Sequence, residues 1–167
     1  IRKARLLQDI GAAQGVPRLI CAHTAWSLRR IARRLDHVEE KQADYLARYL
    51  LLAAAANALE RVYWGPLIGQ REGLIDDGTA EYPDPPHVTL YHQARGNPAD
   101  YRLRPAFHAL AAAQKFLHGA VFQQAHTSGP ALEILEFTTP DGLIRHAVWS
   151  VNGRCAAADA CYHPATL

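Results

Sequence analysis

The sequence contains no methionine and only three cysteines among its 167 residues. So few cysteines argue against a cysteine-based metal site. Cys21 lies in an apolar run, where a free thiol behaves as a small buried hydrophobic group. Cys155 and Cys161 could form a disulfide only if the fold brings their Cα atoms within bonding reach, which their spacing does not decide. Because Ile1 begins inside an amphipathic helical pattern and methionine is absent, we expect the chain to be a processed or truncated form.

Long apolar runs are also absent. The longest candidate, residues 50–59, is a short alanine-rich helical segment, whereas a helix that spans a bilayer needs about 20 apolar residues. No segment has the pattern of a signal peptide. The net charge of +2 is too small to indicate a nucleic-acid partner, although residues 1–61 carry eleven Lys/Arg against six Asp/Glu and the rest seven against ten. The composition therefore predicts neither a membrane span nor nucleic-acid binding.

The chain does hold enough apolar side chains for a core, since 49% of its residues are hydrophobic. Helical and strand patterns alternate: a helix over residues 1–15, a strand over 17–22, a helix over 39–59, a strand over 61–64 and a helix that opens at Pro105. This alternation is typical of βα units with parallel strands. We expect one domain, or parts of two.

Polar and aromatic residues follow the first apolar strand. Residues 17–22 have the length and apolarity of a strand buried on both faces, and His23, Thr24 and Trp26 come directly after it. In parallel α/β folds the reactive groups lie beyond the carboxyl ends of the strands. These three side chains are therefore the first candidates for a functional site.

The next segment carries a basic patch, which consists of Arg29, Arg30, Arg33 and Arg34. Its simplest interpretation is a solvated surface on a loop or short helical turn. The alternative is capture of a phosphate, a carboxylate or a nucleic-acid backbone, for which guanidinium groups are well suited. No aromatic residues are interleaved with the arginines, and this argues against stacking on bases.

Asp36 and Glu39 have the spacing of a capping box. In such a box the Asp36 carboxylate accepts from the backbone N–H of Glu39, and the Glu39 side chain accepts from the N–H of Asp36. The long helix that follows is predicted to bury Leu46 and Leu50 on one face.

The second half of the chain is less regular. Residues 65–104 hold most of the glycine and proline, which predicts a long excursion with one short ordered piece at residues 73–76. From residue 132 onwards the apolar pattern is that of antiparallel strands, with turns at residues 139–142 and 152–153. The tail is therefore predicted to be a small antiparallel β region.

Five segments carry a family pattern when they are taken in order. They are residues 23–26 (His-Thr-Ala-Trp), 39–48 (with Gln-Ala-Asp-Tyr-Leu), 61–64 (Arg-Val-Tyr-Trp), 73–76 (Gly-Leu-Ile-Asp) and 104–110 (Arg-Pro-Ala-Phe-His-Ala-Leu). Together they resemble the C-terminal part of a clan A glycoside hydrolase barrel, close to family 39. In that pattern a strand ends in Thr-Glu-x-Gly-Trp, a Gln-Ala-x-Tyr-Leu helix follows, the last strand ends in aromatics, and Arg-Pro-Ala opens the last helix.

The resemblance implies an α/β fold in which residues 1–125 are the C-terminal strands and helices of a (β/α)8 TIM-type barrel. Residues 126–167 then belong to a small antiparallel β domain beside it. A carbohydrate ligand is also implied, with Trp26, Tyr63 and Trp64 placed at strand ends to stack on sugar rings. The alternative interpretation of Trp26 and Trp64 is that they belong to the core.

His23 stands where the family pattern has its nucleophilic glutamate. Retaining glycosidases use two carboxyl groups about 5–5.5 Å apart. Imidazole does not supply the negative charge that stabilises an oxocarbenium-like centre. His23 is the candidate catalytic residue by position alone, and the simpler interpretation is a hydrogen-bonded histidine at a strand end. The family's acid/base carboxylate is expected on an earlier strand, upstream of these residues.

Three functions follow as hypotheses. The first is a retaining glycosidase with an unusual or displaced carboxylate, and the second is a barrel that has lost hydrolysis and binds or helps process a polysaccharide. The third is an α/β fragment that binds anions through the basic patch. The expected partners are a carbohydrate and the N-terminal part of the same barrel. No cofactor or metal site is predicted, because the candidates offer no favourable spacing: His37, Tyr91, His92 and His108.

Overall fold

The computed structural model describes residues 2–16, 18–78, 97–128 and 132–150, which fold into helices packed on small β-sheets. The helices are α1 (Arg2–Ala13), α2 (Leu28–Ala32), α3 (Val38–Ala56) and α4 (Pro105–Leu117), with one 3-10 turn at Pro98–Asp100. The strands are β1 (Ile20–Thr24), β2 (Arg61–Trp64), β3 (Ile75–Asp76), β4 (Arg102–Leu103), β5 (Val121–Ser128), β6 (Leu132–Thr138) and β7 (Ile144–Ser150). The fold class is therefore mixed α/β, as the sequence predicts.

β1 and β2 form a parallel pair, which confirms the predicted βα alternation. Cys21 is paired with Val62 and Thr24 with Trp64, and the register shifts between these two pairs. The connection between the strands contains α2 and α3. A crossover of this length is what a parallel pair requires, because a short hairpin joins only antiparallel strands.

The prediction that the first strand is buried on both faces is wrong. Cys21 and Thr24 are partly buried, whereas the other three side chains of β1 are exposed, Ile20 to 54%. Cys21 is turned towards α3, where the Tyr49 hydroxyl donates to its Sγ over 3.5 Å. The exposed side chains are open to solvent in the described part of the chain, and one edge of β1 has no partner strand there.

The long helix is confirmed, but its predicted capping box is wrong. α3 begins at Val38, and the capping position is held by His37 with φ 51°, in the left-handed region and without a side-chain cap. Glu39 turns away from the helix end and accepts two hydrogen bonds from Arg102, at 2.8 and 2.6 Å. A bidentate guanidinium is a stronger donor to a carboxylate than a backbone N–H.

α3 and α4 pack around the helix core, which consists of Leu46, Leu74 and Ala106. Leu46 and Ala106 are completely buried, at 0% exposure. Pro105 lies at the start of α4, as predicted, because the first turn of a helix does not need its missing N–H.

β5, β6 and β7 form an antiparallel sheet in that order. One face packs on α3 and α4 around the sheet core, which consists of Leu135, Phe137 and Ala147. The predicted strands of the tail are confirmed at β6 and β7. The sequence does not predict β5, in which two glutamines interrupt the apolar alternation. The predicted boundary between residues 125 and 126 falls inside this strand.

β3 pairs with β4 in antiparallel register, with Ile75 opposite Leu103 and Asp76 opposite Arg102. This pairing confirms the short ordered piece predicted at residues 73–76. It also brings the loop after β2 against the start of α4.

Arg104 fixes that loop from inside. Its side chain is 1% exposed, and its guanidinium donates to the backbone carbonyls of Gly69 and Gly73, at 2.9 and 2.8 Å, and of Gln70, at 3.1 Å. Gly73 permits the tight loop, since a Cβ there would lie 2.5 Å from the backbone N and O of Gly69. Any other residue at position 73 would force the loop apart.

The described strands belong to three separate sheets, and no barrel closes among them. α1 lies at the margin of this arrangement and leaves its apolar stripe in solvent, with Leu6, Leu7 and Ile10 all more than half exposed at 60%, 56% and 53%. Within these ranges no helix is both long and apolar enough to cross a membrane.

Three of the sequence predictions concern residues outside the described ranges. They are the possible disulfide between Cys155 and Cys161, the turn at residues 152–153, and the interpretation of Tyr91 and His92.

Candidate functional site

The carboxyl ends of β1 and β2 lie side by side. The backbone N–H of Gly65 continues the pairing and donates to the carbonyl of Thr24 over 2.6 Å. The ring of His23 lies directly against Gly65, where an added Cβ would be 2.5 Å from His23 Nε2. The absence of a side chain at Gly65 therefore makes room for the imidazole, and the parallel pair brings the two predicted strand ends together.

Trp26 is the centre of an aromatic cluster, which consists of Trp26, Tyr45, Tyr49 and Trp64. The rings of Trp26 and Trp64 are stacked at 5.6 Å between centroids and 28° between planes. Tyr45 and Tyr49, one turn apart on α3, contact Trp26 at 6.0 and 5.5 Å. Both tryptophans are partly buried. The cluster joins the ends of both strands to the crossover helix.

Gln42 holds the backbone beneath this cluster. It is 0% exposed, and its Nε2 donates to the carbonyl of Trp26 over 2.9 Å and to that of Glu72 over 3.2 Å. Trp64 Nε1 donates to the same Glu72 carbonyl over 3.3 Å. Among the described residues, Gln42 Oε1 and the nearby Ser27 hydroxyl are buried without a hydrogen-bond partner. Buried polar atoms of this kind normally find a partner, so the floor of the cluster retains unused hydrogen-bonding capacity.

Tyr63 lies apart from the aromatic cluster. Successive side chains of a strand point to opposite faces, so Trp64 packs towards the helix core whereas Tyr63 is 48% exposed. The Tyr63 hydroxyl accepts from Arg61 Nη1 at 3.5 Å. Of the three aromatic residues predicted to bind a sugar, Tyr63 is the exposed one, whereas Trp26 and Trp64 are partly buried.

Tyr49 connects the cluster to the interior of β1. Burial raises the pKa of Tyr49 to about 12, and the hydrogen bond to Cys21 acts in the same direction. The phenol therefore stays protonated at neutral pH and acts as a hydrogen-bond donor. Cys21 is a partly buried free thiol whose Sγ contacts the carbonyl of His23 at 3.4 Å.

The ring of His23 is exposed, and it has no hydrogen-bond or ion-pair partner within the described ranges. A general base or nucleophile is normally oriented and activated by a second group within hydrogen-bond distance. Among the described residues no carboxylate orients the imidazole. This part of the chain therefore offers an exposed imidazole against Gly65, without the dyad that nucleophilic catalysis requires.

Glu39 belongs to a charged network that closes the helix core. Arg102 bonds both Glu39 and Asp76, and Arg104 Nε lies 3.3 Å from a Glu39 oxygen, an ion-pair distance without hydrogen-bond geometry. The hydrogen bonds from Arg102 hold the pKa of Glu39 below its ordinary value, and the pKa of Arg102 is raised by the same contact. The Glu39 carboxylate is committed to this network rather than to the strand ends.

The basic patch lies on α2 and the turn that follows it. Its four arginines are all exposed, which agrees with a short helical turn at the surface.

Sequence reasoning missed a second cluster of polar side chains, on the outer face of the antiparallel sheet. His126, Glu136 and His146 each offer one ligand atom, and these atoms all lie within 4.8 Å of one another. The available signal was their spacing, since each follows the previous one by ten residues in a region of strands and turns. The cluster could hold a metal ion.

Comparison of the chain with protein-family models, with curated proteins and with solved structures found no match.

Proposed function

We propose that these residues form the C-terminal part of a glycoside-hydrolase-like barrel that binds a carbohydrate at the carboxyl ends of β1 and β2. The observation that carries the proposal is the juxtaposition of these two ends. At these ends the imidazole of His23 lies against Gly65, the residue after Trp64, and Trp64 stacks on Trp26. Tyr63 is exposed on the opposite face of β2. Ligands of parallel α/β folds bind at this edge.

A sugar suits such a surface for two reasons. One face of a pyranose ring is lined by C–H groups, which pack on aromatic rings, and its rim carries hydroxyls that need hydrogen-bond partners. Tyr63 offers an exposed ring with a polar end, and His23 offers an exposed imidazole that can donate or accept. Apolar rings with a few polar groups around them are the usual make-up of a small-ligand site.

Binding without hydrolysis is the form of the proposal that the chemistry favours. A retaining mechanism needs a carboxylate nucleophile and a second carboxyl group about 5–5.5 Å away. His23 stands at the nucleophile position of the family pattern and has no orienting partner among the described residues. An unassisted imidazole leaves the developing positive charge of the sugar without a counter-charge.

The open face of β1 supports a larger barrel. Ile20 is 54% exposed, and the stripe of Leu6, Leu7 and Ile10 on α1 is exposed as well. The apolar stripe of a helix and the apolar side chains of a strand are normally covered by another layer. In the proposal that layer is the remaining strands and helices of the same barrel.

The test is a binding titration with a panel of β-linked gluco-, xylo- and galacto-oligosaccharides. Binding is followed by the fluorescence of the Trp149→Phe variant, in which Trp26 and Trp64 are the remaining tryptophans. Calorimetry of the unsubstituted chain gives an independent measurement. Loss of one stacking ring costs about 0.5–1.5 kcal/mol, so Tyr63→Ala is expected to weaken binding about two- to twelvefold. Trp149 lies in the other sheet, and Trp149→Phe is expected to bind like the unsubstituted chain.

Two outcomes contradict the proposal: no oligosaccharide of the panel binds, or Tyr63→Ala and Trp26→Ala both bind as tightly as the control. Replacing all four arginines of the basic patch with Gln tests the anion-binding alternative in the same assay. A large loss of affinity that depends on salt would favour that alternative, because exposed charges are screened.

The absence of hydrolysis is tested with activated aryl glycosides, which need little acid assistance. A full-length protein that includes the N-terminal part of the proposed barrel is expected to give little turnover, and His23→Glu to raise it by restoring a carboxylate at the strand end. Efficient hydrolysis that survives His23→Ala would mean that the carboxylate lies elsewhere and that residues 23–26 are aligned in the wrong register.

A further inference from the structure

The outer face of the antiparallel sheet carries three metal-ligand side chains on three adjacent strands. Glu136 lies on the central strand β6, opposite His146 on β7. His126 on β5 is paired with Ile134, two residues along β6 from Glu136, and so lies diagonal to it on the same face. His126 Nε2 and His146 Nε2 lie 2.8 and 3.3 Å from the same atom, Glu136 Oε2.

The sheet fixes this arrangement by its register. Leu135 and Phe137, on either side of Glu136, point into the sheet core, so Glu136 must point out. A slip of one residue would bury the carboxylate and expose the core, which makes the register strongly specified. The three ligand atoms are therefore held together by the fold and not by flexible loops.

We propose that His126, Glu136 and His146 bind a divalent transition ion of the Zn²⁺ type. A tetrahedral zinc ion with ligands at 2.0–2.2 Å places neighbouring ligand atoms about 3.3 Å apart. The His146–Glu136 distance already has this value, at 3.3 Å, and the His126–Glu136 distance, at 2.8 Å, needs to open by about half an ångström. The two imidazole nitrogens lie within 4.8 Å of each other and would close towards the same value as the ion binds. This inference is independent of the carbohydrate proposal, since the two sites share no residue.

The donor set selects the class of ion. Two imidazole nitrogens and one carboxylate oxygen suit zinc and its neighbours, whereas Mg²⁺ and Ca²⁺ prefer oxygen ligands only. The second oxygen of Glu136 accepts from Gln124 Nε2 at 3.3 Å. Such a contact orients a ligating carboxylate in the way that outer-shell groups of metal sites do.

The ion can reach the site from solvent. The side chains of His126 and His146 are 41% and 48% exposed, and that of Glu136 is 17% exposed. The protein supplies three ligands, so a fourth position on the ion faces water. In zinc sites this pattern is the one that leaves room for an exchangeable water or for a ligand of a binding partner.

The experiment is a calorimetric titration of the full chain with ZnCl₂, with Cys155 and Cys161 replaced by Ser so that their thiolates contribute nothing. One zinc ion per chain is expected, and MgCl₂ or CaCl₂ should not compete. Loss of an outer-shell partner already lowers metal affinity about 10- to 100-fold, so the double variant His126→Asn, His146→Asn is expected to lose about 100-fold or more. The matched control, His108→Asn with His118→Asn, removes one exposed histidine on α4 and one at its C-terminal cap, and should keep the affinity.

Nuclear magnetic resonance of the histidine rings gives a second measurement that needs no variant. Of the nine histidines, only His126 and His146 are expected to shift on addition of zinc. The proposal is overturned if zinc does not bind with one-to-one stoichiometry, if the shifts fall on other histidines, or if the double variant binds as tightly as the control. The first of these results would leave the cluster as a hydrogen-bonded His–Glu–His group without an ion.

Discussion

The helix core and the sheet core are stabilised by different kinds of interaction. The helix core is closed by the guanidinium of Arg104, which is 1% exposed and bonds three backbone carbonyls. The sheet core is closed by rings: Phe137 is 0% exposed and makes edge-to-face contacts with Phe116 and Phe122 at 5.6 and 5.7 Å. One core thus depends on directed hydrogen bonds and the other on apolar packing.

This difference decides how each core responds to change. A buried polar group whose partner is removed loses its hydrogen bonds and cannot regain them from water, so the penalty is abrupt. An apolar core can partly relax around a smaller side chain, so the penalty is graded. The loop after β2, whose Glu72 carbonyl accepts from Gln42 and Trp64 at the candidate site, is held by the polar core. The sheet that carries the His–Glu–His cluster is held by the apolar one.

The largest effect is expected for Arg104→Met, which keeps an unbranched aliphatic stem but removes every donor. A buried polar group left without its partner typically costs about 1–3 kcal/mol, so the loss of a donor shared by three carbonyls should cost at least about 3 kcal/mol. We expect a loss of this size in the free energy of unfolding, measured by urea denaturation, because the carbonyls of Gly69, Gln70 and Gly73 lose their donor.

Arg145 provides the matched control. Its Nη1 donates to the carbonyls of Phe116 and Lys115, at 2.6 and 3.3 Å, but the side chain is only partly buried. Water can replace these bonds, so Arg145→Met should cost about 1 kcal/mol. Equal losses for the two variants would show that burial of the guanidinium is not what closes the helix core.

A smaller effect is expected in the sheet core. Phe137→Leu keeps an apolar side chain but loses two ring contacts, each worth about 0.5–1.5 kcal/mol, so the free energy of unfolding should fall by about 1–3 kcal/mol. Phe107→Leu, at the edge of the helix core, is the control, since Phe107 is partly buried and its ring contacts only His108 among the described rings. A larger loss for Phe107→Leu would contradict the assignment of Phe137 as the centre of the sheet core.

The sequence predicts elements better than it predicts their surroundings. α3, α4 and the parallel pair follow from local periodicity and from proline at a helix start, which depend on a few neighbouring residues. The exposure of Ile20 depends on whether another layer covers β1, and local periodicity contains no information about that. Glu39 was assigned to a capping box because the spacing fits, yet its partner Arg102 lies 63 residues away.

The two candidate sites differ in the same way. His23, Trp26 and Trp64 could be placed together because parallel strands share one carboxyl edge, a rule that needs only the order of the elements. The cluster on the outer sheet needs the register of three strands, one of which has glutamines in place of apolar residues. A residue pattern does not supply register until all the strands are identified.

The smallest effect is expected for Glu39, whose contribution to the free energy of unfolding depends on pH. Hydrogen bonds from Arg102 lower the pKa of Glu39 from its model-compound value of 4.5, while the nearby Arg104 acts in the same direction and Asp76 opposes it. A carboxyl group whose folded pKa is lowered contributes stability above its unfolded pKa and loses that contribution as pH falls through its folded pKa. Because Arg102 is 54% exposed, solvent screens the pair and the contribution should stay below about 1 kcal/mol.

Glu39→Gln is therefore expected to be slightly less stable than the unsubstituted chain at pH 7, and the difference should shrink as the pH falls below 4.5. Urea denaturation at pH 7 and pH 3 measures both quantities, and a difference that grows towards acid pH would mean that the charge of Glu39 does not stabilise the helix core.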